Sequence, residues 1–105
     1  MRAETLADLL GMATRGSLRE PCSIDLLIES ERPWCGDWVR LYCRVSNATE
    51  AWVEVAGRRV REIAIDQALT LAWEADRYRE EFTVWGIGND DVPRCETIVI
   101  NPRWL

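Results

Sequence analysis

Histidine and lysine are both absent from these 105 residues. Without an imidazole the chain has no ready general base near neutral pH and no nitrogen ligand for zinc. Without a lysine amine it can form no Schiff base and cannot grip a nucleotide phosphate as a P-loop does. Long apolar runs are missing as well, and a membrane helix needs about 20 such residues. The first sixteen residues, Met1 to Gly16, carry Glu4 and Asp8 inside their apolar stretch and lack the basic-then-apolar order of a secretory signal. The expectation is a mature chain starting at Met1, in a reducing cytoplasm and away from membranes.

All thirteen basic residues are arginine, and six tryptophans accompany them. A GC-rich coding background also produces that bias. Arginine and tryptophan nevertheless anchor many protein interfaces, one by planar bidentate hydrogen bonding and the other by large, rigid contact area. Eighteen acids against those arginines leave a net charge of −5 and a pI near 4.7. That balance disfavours direct contact with nucleic acid or anionic lipid and suits a basic protein surface. The acids cluster. Glu74, Asp76, Glu80, Glu81, Asp90 and Asp91 face only Arg77 and Arg79 within one stretch. Exposed ion pairs contribute only about 0.2–1 kcal/mol each, so such a cluster is better suited to steering a basic partner than to stabilising the fold.

The length fits one small globular domain, residues 1–105, able to bury roughly two-thirds of the surface its unfolded form exposes. Leu6, Leu9, Leu10 and Ala13 recur at helical spacing before Gly16, which predicts a helix over Ala3 to Thr14, then a linker from Gly16 to Pro21. Ser23 to Glu29 reads as a short strand. From Asp37 to Ser46, Val39, Leu41, Cys43 and Val45 alternate with Trp38, Arg40, Tyr42 and Arg44, the period of a half-buried strand. Glu50 to Ile65 reads as a hairpin turning at Gly57 and Arg58.

Asp66 offers a cap to a stripe of Ala68, Leu71, Ala72, Ala75, Tyr78 and Phe82, which predicts a second helix over 67–81. Leu69, Leu71 and Trp73 also alternate, so a hairpin turning at Ala75 to Arg77 competes. Thr83 to Ile87 and Thr97 to Ile100 read as closing strands joined by the loop from Gly88 to Cys95. The expected class is α+β: an antiparallel sheet of about five to six strands carrying two helices.

No motif assigns a chemistry. Trp34, Cys35 and Gly36 resemble the first three residues of the thioredoxin active-site signature, but Trp38 stands where that family has its second cysteine. Cys22, Cys35, Cys43 and Cys95 lack the close pairing of structural zinc ligands. Cys43 falls on an apolar strand face and the other three in predicted loops. Gly86 and Gly88 begin a dinucleotide-type glycine pattern whose third position is Asp91, a carboxylate that would repel a pyrophosphate. Asn89, Asp90 and Asp91 are too few for a calcium loop. Asn47, Ala48 and Thr49 form a glycosylation sequon, relevant only in a secretory pathway.

The functional expectation is a non-enzymatic binding protein without cofactor or metal. It would inhibit a partner by covering a basic, nucleic-acid-binding type of protein surface. In size and charge, though in no motif, the chain is similar to small acidic phage and bacterial inhibitors such as anti-CRISPR and toxin-immunity proteins. The six clustered acids would meet the partner's cations, and Trp34, Trp38 and Trp52 would supply its desolvated anchors. Trp38 and Trp52, each opposite a core-facing valine, could pair across adjacent strands. The competing expectation is an assembly or chaperone-like module, a homodimer being one form of it, using that aromatic face.

Overall fold

The computed structural model describes residues 21–104. The helix expected over Ala3 to Thr14 lies outside the described residues. Seven strands run in order: β1 Ser23–Ile28, β2 Trp38–Ser46, β3 Ala48–Val55, β4 Arg58–Glu62, β5 Leu69–Glu74, β6 Glu80–Gly88 and β7 Pro93–Ile100. They form two antiparallel sheets, one ordered β1-β2-β5 and the other β4-β3-β6-β7. The α+β expectation is therefore overturned: the described residues are all-β, and one sheet of five to six strands is replaced by sheets of three and four. The chain crosses between sheets after β2, β4 and β5. That Greek-key layout is the one immunoglobulin-like sandwiches use, with β4 kept beside β3 in the larger sheet. No helix among the described residues is long and apolar enough to cross a membrane.

The two-residue period builds this core. Val39, Leu41, Cys43 and Val45 from β2 face Ala51, Val53 and Val55 from β3 and Phe82 and Val84 from β6, all buried, with Ile100 closing one end. Each fully buried Val, Leu, Ile or Phe side chain contributes about 1.5–3 kcal/mol of transfer free energy, an upper figure because the unfolded chain is itself partly collapsed. On the opposite face of β2, Trp38, Arg40, Tyr42 and Arg44 point to solvent. Gly86 is small for a packing reason: a Cβ there would lie 3.0 Å from Val45 Cγ1 and 3.1 Å from Cys22 Sγ. The glycine pair is thus where buried Cys22 crosses β6, and the Cys22 thiol points at the Gly86 carbonyl, 3.6 Å away.

The helix expected over 67–81 is replaced by β5, the loop 75–79 and the start of β6. Its helical stripe and its two-residue alternation share Leu71, and the alternation wins. Leu69, Leu71 and Trp73 turn inward at half-burial while Thr70, Ala72 and Glu74 point out. Pairing supplies the reason: β5 satisfies its backbone groups against β2, with Leu71 opposite Leu41 and Trp73 opposite Val39. Asp66, the expected cap, sits at φ 66, a left-handed conformation unlike the extended one that a helix cap adopts. The competing hairpin fails too, because β5 and β6 belong to different sheets.

The expected β3–β4 hairpin forms, turning at Ala56 and Gly57 rather than at Gly57 and Arg58. Both residues have positive φ, 52 and 81, as a type I′ turn requires. Cys95, expected in a loop, lies on β7 opposite Trp85.

Candidate functional site

Three segments remote in sequence close one end of the sandwich: the β1–β2 loop, the β5–β6 loop and the C-terminal tail. Trp34 to Asp37 is a tight turn in which the Asp37 N–H donates to the Trp34 carbonyl at 2.9 Å and Gly36 takes φ 95, the positive value a type II turn needs at its third position. The Asp37 carboxylate accepts from the Trp34 N–H at 3.2 Å and completes the turn. The Trp-Cys-Gly run is accordingly turn chemistry. Gly36 N–H then donates to the Ala75 carbonyl, and Ala75 N–H to the Asp37 carbonyl, both at 2.8 Å. The tail docks from the other side: Cys35 N–H donates to the Arg103 carbonyl and Arg103 N–H to the Pro33 carbonyl, again at 2.8 Å.

This frame presents Trp34, Trp38, Tyr78 and Trp104 at 46, 65, 66 and 59 % exposure. Scattered exposed aromatics need no explanation, but four gathered at one end form the kind of surface that contacts other molecules. Two of the clefts at this end are walled by aromatic rings. The first, about 400 Å³, is lined by Trp38, Ala72, Trp73, Glu74, Asp76 and Glu80. Trp73 is held from behind by an edge-to-face contact with Phe82, 5.3 Å between ring centres. Glu74 lies directly across from Trp38 in the β2–β5 pairing, which places carboxylate beside ring. The second cleft, about 340 Å³, lies among Trp34, Cys35, Arg77, Arg103 and Trp104.

Comparison with protein-family models, with curated proteins and with solved structures finds no match to this chain. Function is therefore read from the chemistry of the site, since a sandwich architecture hosts many unrelated activities.

The expected acidic surface divides. Glu74, Asp76 and Glu80 meet at the aromatic end. Glu81 points to the other side of β6 and pairs with Arg79 at 3.3 Å. Asp90 and Asp91 sit beyond the far end of β6, a strand whose nine residues span roughly 26–30 Å. There Asp90 braces the β6–β7 turn, its carboxylate accepting from the Val92 N–H at 3.1 Å and pairing with Arg94 at 3.2 Å. The backbone hydrogen bond from Val92, reinforced by Arg94, holds its pKa below the ordinary aspartate value. Asp91 occupies the positive-φ position of that turn, φ 63.

Of the expected anchors, Trp34 and Trp38 belong to the aromatic end, but Trp52 does not. Strands β2 and β3 lie in different sheets, so the Trp38–Trp52 pair does not form. Trp52 instead stacks on Trp85 across β3 and β6, centroids 6.2 Å apart, with the Arg59 guanidinium 4.0 Å from the Trp52 ring centre and its indole N–H donating to Glu54 at 2.9 Å. Tyr78, Arg77, Arg103 and Trp104 are residues that sequence reasoning missed as site members. Their only signal was the arginine and tryptophan bias, because contact between the tail and the 31–35 loop is purely tertiary. The thiols are dispersed: Cys22 and Cys43 are buried, Cys35 and Cys95 exposed, and burial raises the Cys43 pKa. Among the described residues no three His, Cys, Asp or Glu side chains gather as metal ligands would.

Proposed function

We propose that this domain is a non-enzymatic protein-binding module that takes a basic side chain of a partner protein into the Trp38 cleft and thereby blocks that partner's basic surface. One observation carries the reading: two tryptophans and three carboxylates, Glu74, Asp76 and Glu80, line the same cleft of about 400 Å³. None of the three carboxylates is paired with an arginine among the described residues. A guanidinium or ammonium entering there gains charge-assisted hydrogen bonds and a cation–π contact together. The net charge of −5 speeds its approach and makes the encounter sensitive to salt. Compared with the expectation from sequence, the surface shrinks to its Glu74, Asp76 and Glu80 half, with Trp38 as anchor.

The test is a titration of the ¹⁵N-labelled chain with a short arginine-containing peptide, following the tryptophan indole signals. The Trp38 signal should move, and Trp38→Ala or the double change Glu74→Gln, Glu80→Gln should weaken binding about tenfold or more. Binding unaltered by these changes would refute the assignment. A second reading is supported by the outer face of the smaller sheet, where exposed Leu27 lies opposite Tyr42 and Trp38 lies farther along β2. That face suits an assembly module, for which Tyr42→Ala would abolish a self-association visible by sedimentation.

A further inference from the structure

The second cleft at the aromatic end has the opposite chemistry. Its five lining residues include two arginines and two tryptophans and no acid. Arg103 is preorganised. Its backbone is tied to the β1–β2 loop, its Nε donates to the Arg32 carbonyl at 2.8 Å, and its guanidinium carbon lies 4.5 Å from the Trp34 ring centre. Those contacts consume one edge and one face and leave the Nη donors as an oriented pair. Arg77 lies 5.4 Å from the ring centre of Trp104. Among the described residues neither guanidinium has a carboxylate within ion-pair distance. In a chain with five more acids than bases, two such arginines facing one aromatic-walled space form a local reversal of charge.

We infer that this cleft binds a carboxylate carried by a partner polypeptide, with Arg77 and Arg103 holding the oxygens and Trp34 and Trp104 flanking the adjoining apolar atoms. Guanidinium forks match a planar carboxylate with two parallel hydrogen bonds, and a ring-stacked arginine loses little further freedom on binding. Inorganic phosphate shares the hydrogen-bonding chemistry but brings no apolar atoms to the flanking rings of Trp34 and Trp104, so a carboxylate on an aliphatic stem is favoured. The site does not depend on the Trp38 cleft, since it uses arginines where that cleft has carboxylates, different rings and a ligand of the opposite sign. If both clefts act, the partner surface offers a cation and an anion side by side.

The experiment uses the full ¹⁵N-labelled chain, with its six indole signals assigned by single Trp→Phe changes. It is titrated with acetyl-Leu-Glu-Leu-amide, with the Gln counterpart of that peptide, and with inorganic phosphate. The expected result is a saturable shift of the Trp34 and Trp104 signals with the glutamate peptide, at least fivefold weaker binding of the glutamine peptide, and weaker binding of phosphate. Arg77→Met, which removes no backbone anchor, should weaken the glutamate peptide about tenfold; Arg103→Lys, which keeps the charge and loses the fork, should also weaken it. Equal response to the Glu and Gln peptides, no response to either, or tighter binding of phosphate would overturn the inference. An arginine peptide that moves Trp38 alone reports on the other cleft and leaves this result independent.

Discussion

Tyr78, measured against Phe82, provides the sharpest test of the architecture, because a helical stripe buries both residues and the observed sandwich buries only Phe82. On a helix both would lie on the buried stripe. In the sandwich Phe82 has no exposed surface, while Tyr78 sits in the β5–β6 loop at 66 % exposure. Phe82 is paired with Val55 on one side and Ile98 on the other, and its ring meets the edge of Trp73. Truncating a buried phenylalanine to alanine costs about 3–5 kcal/mol. The upper half of that range applies here, because the edge-to-face contact with Trp73, about 0.5–1.5 kcal/mol in similar pairs, is lost together with the packing.

Tyr78→Ala, at an exposed loop position, should stay within about 0.5 kcal/mol of the parent. With a urea dependence of about 1.5 kcal/mol per molar, a loss of about 4–5 kcal/mol lowers the unfolding midpoint of Phe82→Ala by about 2.7–3.3 M, and Tyr78→Ala leaves it in place. Equilibrium unfolding followed by tryptophan fluorescence and far-UV circular dichroism measures both. Phe82→Leu, expected to cost less, serves if the alanine variant does not fold. Comparable losses for Tyr78→Ala and Phe82→Ala would refute the strand assignment of 69–74 and restore the helix.

Gly86→Ala should destabilise by about 1–3 kcal/mol, because its methyl would press on Val45 and Cys22; thermal melting checks this, and the double change with Cys22→Ala should recover part of the loss. Ala56→Asn should stabilise by roughly 0.5–1 kcal/mol, since asparagine tolerates the φ of 52 that alanine is forced into, and urea unfolding measures it. The Asp90 pKa is lowered by folding, so its contribution is full above the ordinary aspartate range and is lost as pH falls through the folded value. Asp90→Asn should therefore flatten the decline in stability between roughly pH 5 and 2, read as unfolding midpoints across that range. Arg94→Met should reproduce part of that flattening, because it removes the cation beside the carboxylate.

Much of the core was legible along the chain. Val39, Leu41, Cys43 and Val45 alternate so regularly that only a strand buries them together, and the Gly57 region forces a turn between two β-branched segments. The alternation of Leu69, Leu71 and Trp73 was equally visible, but a short amphipathic segment satisfies two periods at once, and the choice belongs to whichever neighbour pairs its backbone. Here that neighbour is β2, distant in sequence. The acids at 74–91 were countable, yet their separation to opposite ends of β6 follows from strand length and could not be counted. Composition alone determined which side chains were available: arginine, tryptophan and an excess of carboxylate, with no imidazole and no lysine amine. Tertiary structure alone decided which of these residues meet. It brought Arg103 of the tail to Trp34, set Trp38 beside Glu74, and sent Trp52 to the other sheet, because sheet partnership is a long-range choice made by backbone pairing and core burial together.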